Sequence, residues 1–201
     1  MGVLSAYLLA AGAAGQCAPT WLPGMPVPGV VGGVSAMVAW DRDGSGPQPA
    51  VLAVGGAVTI AGGVRLEGVA VFDPVTRVWS ALTPSTGFLG GSVNALAAMP
   101  NGDLIAAGTF ISMAGVAANR IARWNGAAWQ PLGSGLNNVV QALAVMPNGN
   151  LIAAGSFSTA GGAPANRVAA WDGATWTDLA AGLWNVTIRQ LVARPDGTLR
   201  G

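Results

Sequence analysis

Residues 94–108, NALAAMPNGDLIAAG, return almost unchanged as residues 141–155, QALAVMPNGNLIAAG, at an offset of 47. The match runs on past both copies. Asn119-Arg120 returns as Asn166-Arg167, Trp124 as Trp171, Trp129 as Trp176 and Leu132 as Leu179. A fixed, turn-rich period of this kind marks an array in which each repeat is one small sheet. Such a sheet cannot bury its apolar face alone and becomes stable by stacking on its neighbours.

Inside the third repeat the strands can be placed. Residues 139–146 alternate in polarity and end at Pro147-Asn148-Gly149, a tight-turn signal in which glycine takes a positive φ without steric cost. Residues 151–157 form the return strand, and residues 158–166 a longer loop carrying Gly161-Gly162. Residues 167–171 form a third strand, Asp172-Gly173 a second hairpin turn, and residues 175–179 a fourth strand. Four antiparallel strands per repeat is the plan of a propeller blade. The first repeat fits the same plan. Residues 56–63, GAVTIAGG, fall on residues 155–162, GSFSTAGG, and Phe72-Asp73 on Trp171-Asp172.

Residues 51–84 resemble a kelch repeat, in which a Gly doublet ends the second strand and an aromatic-Asp-Pro turn leads to Trp. The two later repeats are similar to kelch-like bacterial propeller repeats of secreted proteins. They depart from kelch in having Ala107-Gly108 and Ala154-Gly155 at the doublet and in lacking its Tyr. The resemblance implies an all-β fold, a partial β-propeller of four-stranded antiparallel blades, with about three full blades plus fragments. Blade 1 would span residues 34–84, blade 2 residues 93–133 and blade 3 residues 139–180, with a fourth begun and cut short at 188–201. Residues 16–33 would supply an outer strand. First strands would line a central channel, where Ala95, Ala97, Ala142 and Ala144 suit the crowding, while Trp129 and Trp176 would pack between blades. Propellers host many unrelated activities, so the resemblance fixes no ligand.

Residues 1–15 read as a signal peptide, with an apolar run over 3–14 too short to span a bilayer and small residues up to Gly15. Export follows, with no membrane insertion after cleavage and a secreted or extracytoplasmic location.

Composition narrows the chemistry. There is no His, the commonest general base and zinc ligand, and the single Cys17 has no partner for an internal disulfide. All nine basic residues are Arg, spread from Arg42 to Arg200, and net charge is +1, so the phosphate-binding patch of a nucleic-acid partner is missing. A Ser nucleophile would have no His to activate it. Glycosidases need two facing carboxylates; of the eight acids, Asp103, Asp172 and Asp196 fall in hairpin turns and Glu67 alone in a loop, so an enzyme would need its site in further blades. The chain is expected not to be an enzyme.

Repeats allow a test that needs no relatives: a residue present in every repeat serves the repeat, and a polar residue confined to one needs another reason. Asn119-Arg120 and Asn166-Arg167 recur, as do the paired Trp, which points to structure. Asp41-Arg42-Asp43-Gly44 occurs once and resembles the start of a calcium loop, making Asp41 and Asp43 the candidate metal ligands. A twelfth-position acid is missing, since Leu52 stands there, and a polar turn is the competing account. No other cofactor is expected.

The function expected from this is a secreted, non-catalytic propeller module for binding or scaffolding. Its glycan or protein ligand would sit on the face of Gly- and Asn-rich loops, with Asn137, Asn138, Asn185, Arg120 and Arg167 as candidate contacts. The alternatives are a non-catalytic segment of a larger secreted hydrolase or oxidase, and a purely architectural array. Further blades of the same chain would be partners if more sequence follows.

Overall fold

The computed structural model describes residues 29–44, 46–66, 68–82, 90–179 and 190–200. The signal peptide, most of the expected N-terminal outer strand and Asn185 lie outside the described residues. What is described is all-β, built of antiparallel sheets, with no helix among the described residues.

The first sheet holds β1 (Val30–Trp40), β2 (Val51–Ala61), β4 (Val69–Asp73) and β5 (Val78–Ala81) in that order, with the short β3 (Val64–Arg65) paired to the end of β2. The second runs β6 (Val93–Ala98), β7 (Leu104–Gly108), β10 (Ile121–Trp124) and β11 (Trp129–Pro131), with a ribbon of β8 (Ser112–Met113) and β9 (Val116–Ala117) inserted. The third repeats this plan with β12 (Val140–Val145), β13 (Leu151–Gly155), β16 (Val168–Trp171) and β17 (Trp176–Asp178), and a ribbon of β14 (Thr159–Ala160) and β15 (Ala163–Pro164). A last hairpin joins β18 (Val192–Ala193) to β19 (Leu199–Arg200). The connection expected as a plain loop over 158–166 is therefore itself a small hairpin. At its tip Gly161 and Gly162 both take positive φ, as Gly62 and Gly63 do in the first sheet.

The sheets stack through both faces. First strands β1, β6 and β12 lie side by side, and Ala95, Ala97, Ala142 and Ala144 are buried there. In β7, LIAAG, every residue is buried, and period-two alternation sends Leu104 and Ala106 toward the first sheet but Ile105 and Ala107 toward the third. That is why these strands read as unbroken apolar runs. Phe110 and Phe157 close the two interfaces, each fully buried side chain contributing on the order of 2–3 kcal/mol. Trp124 packs against its cross-strand partner Trp129 with ring centroids 5.7 Å apart, and Trp171 against Trp176 at 5.4 Å. Trp129 and Trp176 are core residues of the two sheet interfaces, as expected.

Each first strand carries a bulge, at Ser35 in the middle of β1 and one residue after the start of β6 and β12 at Asn94 and Gln141. Opposite each bulge is a glycine. A Cβ on Gly56, Gly108 or Gly155 would fall 1.9, 2.0 or 2.1 Å from the carbonyl oxygen of Gly33, Ser92 or Val139. Asn94 uses its bulge to reach the next sheet, its Nδ2 donating to the Val140 carbonyl at 3.1 Å. Gln141 holds the same place on the third sheet, and its Oε1 is buried with no hydrogen-bond partner.

Candidate functional site

The strands have two kinds of end. One carries the ribbons between second and third strands and the links between sheets; the other carries the tight hairpin turns. At the ribbon end a backbone clasp recurs in every sheet. The amides of Gly56, Gly108 and Gly155 donate to the carbonyls of residues 68, 120 and 167, at 3.0, 2.9 and 2.9 Å. The amides of those same three residues donate back to the carbonyls of Val58, Phe110 and Phe157. Closing this clasp needs left-handed backbone. Gly68 supplies it in the first sheet, while Arg120 and Arg167, both at φ 66, adopt it at a cost of about 1–2 kcal/mol each.

Between the second and third sheets this end opens into a cleft of about 310 Å³. Its wall includes Asn119, Arg120, Ser134, Asn137, Thr159 and Gly162. Two of the expected contact residues, Arg120 and Asn137, are thus brought together. Asn138 and Arg167 are not part of that wall; Asn138 accepts the amide of the next residue, Val139, at 2.8 Å.

Three polar side chains of the cleft, Asn137, Asn119 and Arg120, are committed to its frame. Asn137 accepts the amides of Ser158 and Thr159 at 2.9 and 3.0 Å and donates to the Ser158 hydroxyl at 2.9 Å. Asn119 donates to the Ser134 carbonyl at 3.0 Å. The Arg120 guanidinium donates to the carbonyls of Thr109 and Phe110 within its own loop. The result is a polar cleft of fixed shape, walled by anchored side chains and backbone.

Asp41 and Asp43 lie in the turn between β1 and β2, as the polar-turn account expects. Asp41 accepts the Asp43 amide at 3.3 Å, and Asp43 accepts the Gln48 amide at 3.1 Å. A hydrogen bond between the two carboxyl groups raises Asp41 above the ordinary carboxylate value and lowers Asp43 below it. Calcium takes six to eight oxygens. Among the described residues these two carboxylates belong to no group of three or more potential metal-ligating side chains.

At the turn end, sequence inspection missed a constellation confined to the second sheet. Arg123 pairs with Asp103 at 3.5 Å, and its other nitrogen donates to Gln130 at 2.8 Å. Strand registers place Val71 and Ala170 where Arg123 stands, and Val51 and Asn150 where Asp103 stands. The signal was available in the repeat itself, since Asp103 and Arg123 differ from residues 150 and 170 one period on. Asp172, in the turn after β16, accepts the amides of Thr175 and Ala174 at 2.7 and 2.8 Å and the Thr175 hydroxyl at 3.0 Å. Those bonds hold its carboxyl below the ordinary value.

No protein family and no curated protein matches this chain. Among solved structures it resembles the extracellular domain of a one component system from B. thetaiotaomicron, with 13% identity and a TM-score of 0.49. The match covers 83% of this chain and 20% of that one, so the chain spans about a fifth of its length.

Proposed function

We propose that the three sheets are blades of a kelch-like β-propeller, and that the protein is a secreted, non-catalytic module for binding or scaffolding. The observation that carries this reading is the cleft at the ribbon end. Anchored polar groups from two adjacent sheets converge there as a fixed set of donors and acceptors. A rigid frame bearing a shaped polar cleft between blades suits recognition of a glycan or a protein surface.

The test must fill the cleft without cutting its frame. Asn137 is unsuitable, because its removal breaks three hydrogen bonds. Ser134 is exposed in the cleft, and its engaged atom is the backbone carbonyl. Ser134→Trp is expected to weaken binding to an array of immobilised glycans and secreted proteins by about tenfold or more, with an unchanged melting temperature. Binding that survives this change would remove the ribbon-end cleft as the site. An array on which the native chain binds nothing would remove the module reading.

A further inference from the structure

The two junctions between sheets differ at their turn ends. At the first, Trp40 is buried, with its Nε1 donating across the junction to the Gly102 carbonyl at 2.8 Å and the Arg42 guanidinium 5.7 Å from its ring centre. Trp124, from the second sheet, is buried beside it. At the second junction the place of Trp40 is taken by Met99, a half-buried residue, and the place of Trp124 by Trp171, also half-buried. The glycines report the same contrast. A Cβ on Gly102 would meet the Arg42 carbonyl at 2.5 Å, whereas one on Gly149, a period later, meets nothing within 4 Å.

The space left is a cleft of about 260 Å³. Its apolar lining comes from Met99, Ile105, Leu132, Leu151 and Trp171. Its polar lining is Asn101, Asp172 and the Asp103–Arg123 pair, the pair that neither neighbouring sheet possesses. The pair's side chains remain partly exposed, Arg123 at 39% and Asp103 at 13%.

We propose that this turn-end cleft is a saccharide subsite, distinct from the ribbon-end cleft, that takes a single neutral sugar ring. Size sets the upper limit, because the volume falls just below the roughly 300–1,000 Å³ of drug-sized pockets. Chemistry sets the class. A sugar ring has an apolar face to lie on an indole and a rim of hydroxyls that both donate and accept. Trp171 offers the first surface. Asp103 accepts and Arg123 donates; Asn101, which already donates to the Asp103 carboxylate at 2.9 Å and accepts its amide at 3.2 Å, keeps a second amide hydrogen and a second lone pair. Charge argues against an anionic ligand, since Arg123 is matched by Asp103 and the Asp172 carboxylate, engaged by its own turn, adds a further negative charge.

The repeats supply test variants that the fold already accommodates. Arg123→Ala installs the residue of the third sheet, Asp103→Asn likewise, and Met99→Trp installs the plug of the first junction. The probes are the methyl glycosides of glucose, galactose, mannose and N-acetylglucosamine, titrated by calorimetry and by tryptophan emission. At least one should bind and shift the emission. Its affinity should fall about tenfold or more in Arg123→Ala and in Asp103→Asn, the scale of a lost hydrogen bond to a charged group, and vanish in Met99→Trp. Ser134→Trp should leave this binding intact, which separates the subsite from the ribbon-end cleft. If none of the four glycosides binds, if binding survives Met99→Trp, or if tetramethylammonium binds more tightly than any sugar, the proposal is overturned.

Discussion

At the ribbon end the three sheets are near copies; at the turn end they diverge. The ribbon end repeats its glycine opposite a bulge, its left-handed residue and its two-way backbone clasp in every sheet. The turn end changes from sheet to sheet. Trp40 gives way to Met99, Val51 to Asp103, and the capping Asp73 to Asn125 and then back to Asp172. Repetition follows where each sheet must solve the same closure problem with its own backbone. Divergence follows where side chains face a neighbour whose identity varies, and there a cavity can open without cost to the clasp.

The largest expected effect tests whether the two junctions differ as described. Trp40→Ala removes a buried indole and its hydrogen bond to Gly102, and should cost about 3–5 kcal/mol. Met99→Ala, at the matching place beside an open cleft, should cost less than the roughly 2–5 kcal/mol of a buried methionine. Chemical denaturation of both variants measures the gap. Equal losses would mean that the first junction is no better sealed than the second.

The next effect tests uniformity at the ribbon end. Alanine at Gly56, Gly108 or Gly155 forces a Cβ onto a backbone oxygen of the adjacent first strand. Overpacking of this kind costs about 1–3 kcal/mol, and the three losses should agree to within about 1 kcal/mol because the geometry is the same. A single sheet tolerating the change would break the equivalence of the clasps.

Much of this architecture was legible in the sequence because it depends on local pattern. Alternating polarity in residues 139–146 and the Pro-Asn-Gly turns fixed strands and hairpins, and aligning Gly56 with Gly155 matched residues that prove to be structural equivalents. The ribbons escaped, since two-residue strands carry no period to detect. The candidate site was legible only in outline. Asn137 and Arg120 do reach one cleft, but their hydrogen bonds turn back to the loops, a direction that composition does not encode. The turn-end cleft was hidden for a different reason. The first repeat differs in turn length from the others, so setting Trp40 against Met99 requires the register of β1 on β2 and of β6 on β7.

The smallest expected effect uses the turn caps. Asp73 accepts the amides of Val75 and Thr76, Asp172 those of Ala174 and Thr175, and Asn125 those of Ala127 and Ala128. These bonds lower both Asp groups from an ordinary value near 3.8, the backbone amides of Thr76 and Thr175 being the leading causes. A carboxyl lowered on folding stabilises the folded state above its unfolded pKa, and that contribution is lost as pH falls through the folded value. The window therefore lies below about pH 4. Asn125 has no proton to gain there, so its turn should not respond. In amide spectra recorded from pH 6 downward, Ala174, Thr175, Val75 and Thr76 should shift together in that window while Ala127 and Ala128 hold still. Movement of the middle turn in step with the outer two would show that acid loosens the sheets as a whole. Its absence would localise the response to two carboxylates and confirm that the three turns, alike in shape, are held by different chemistry.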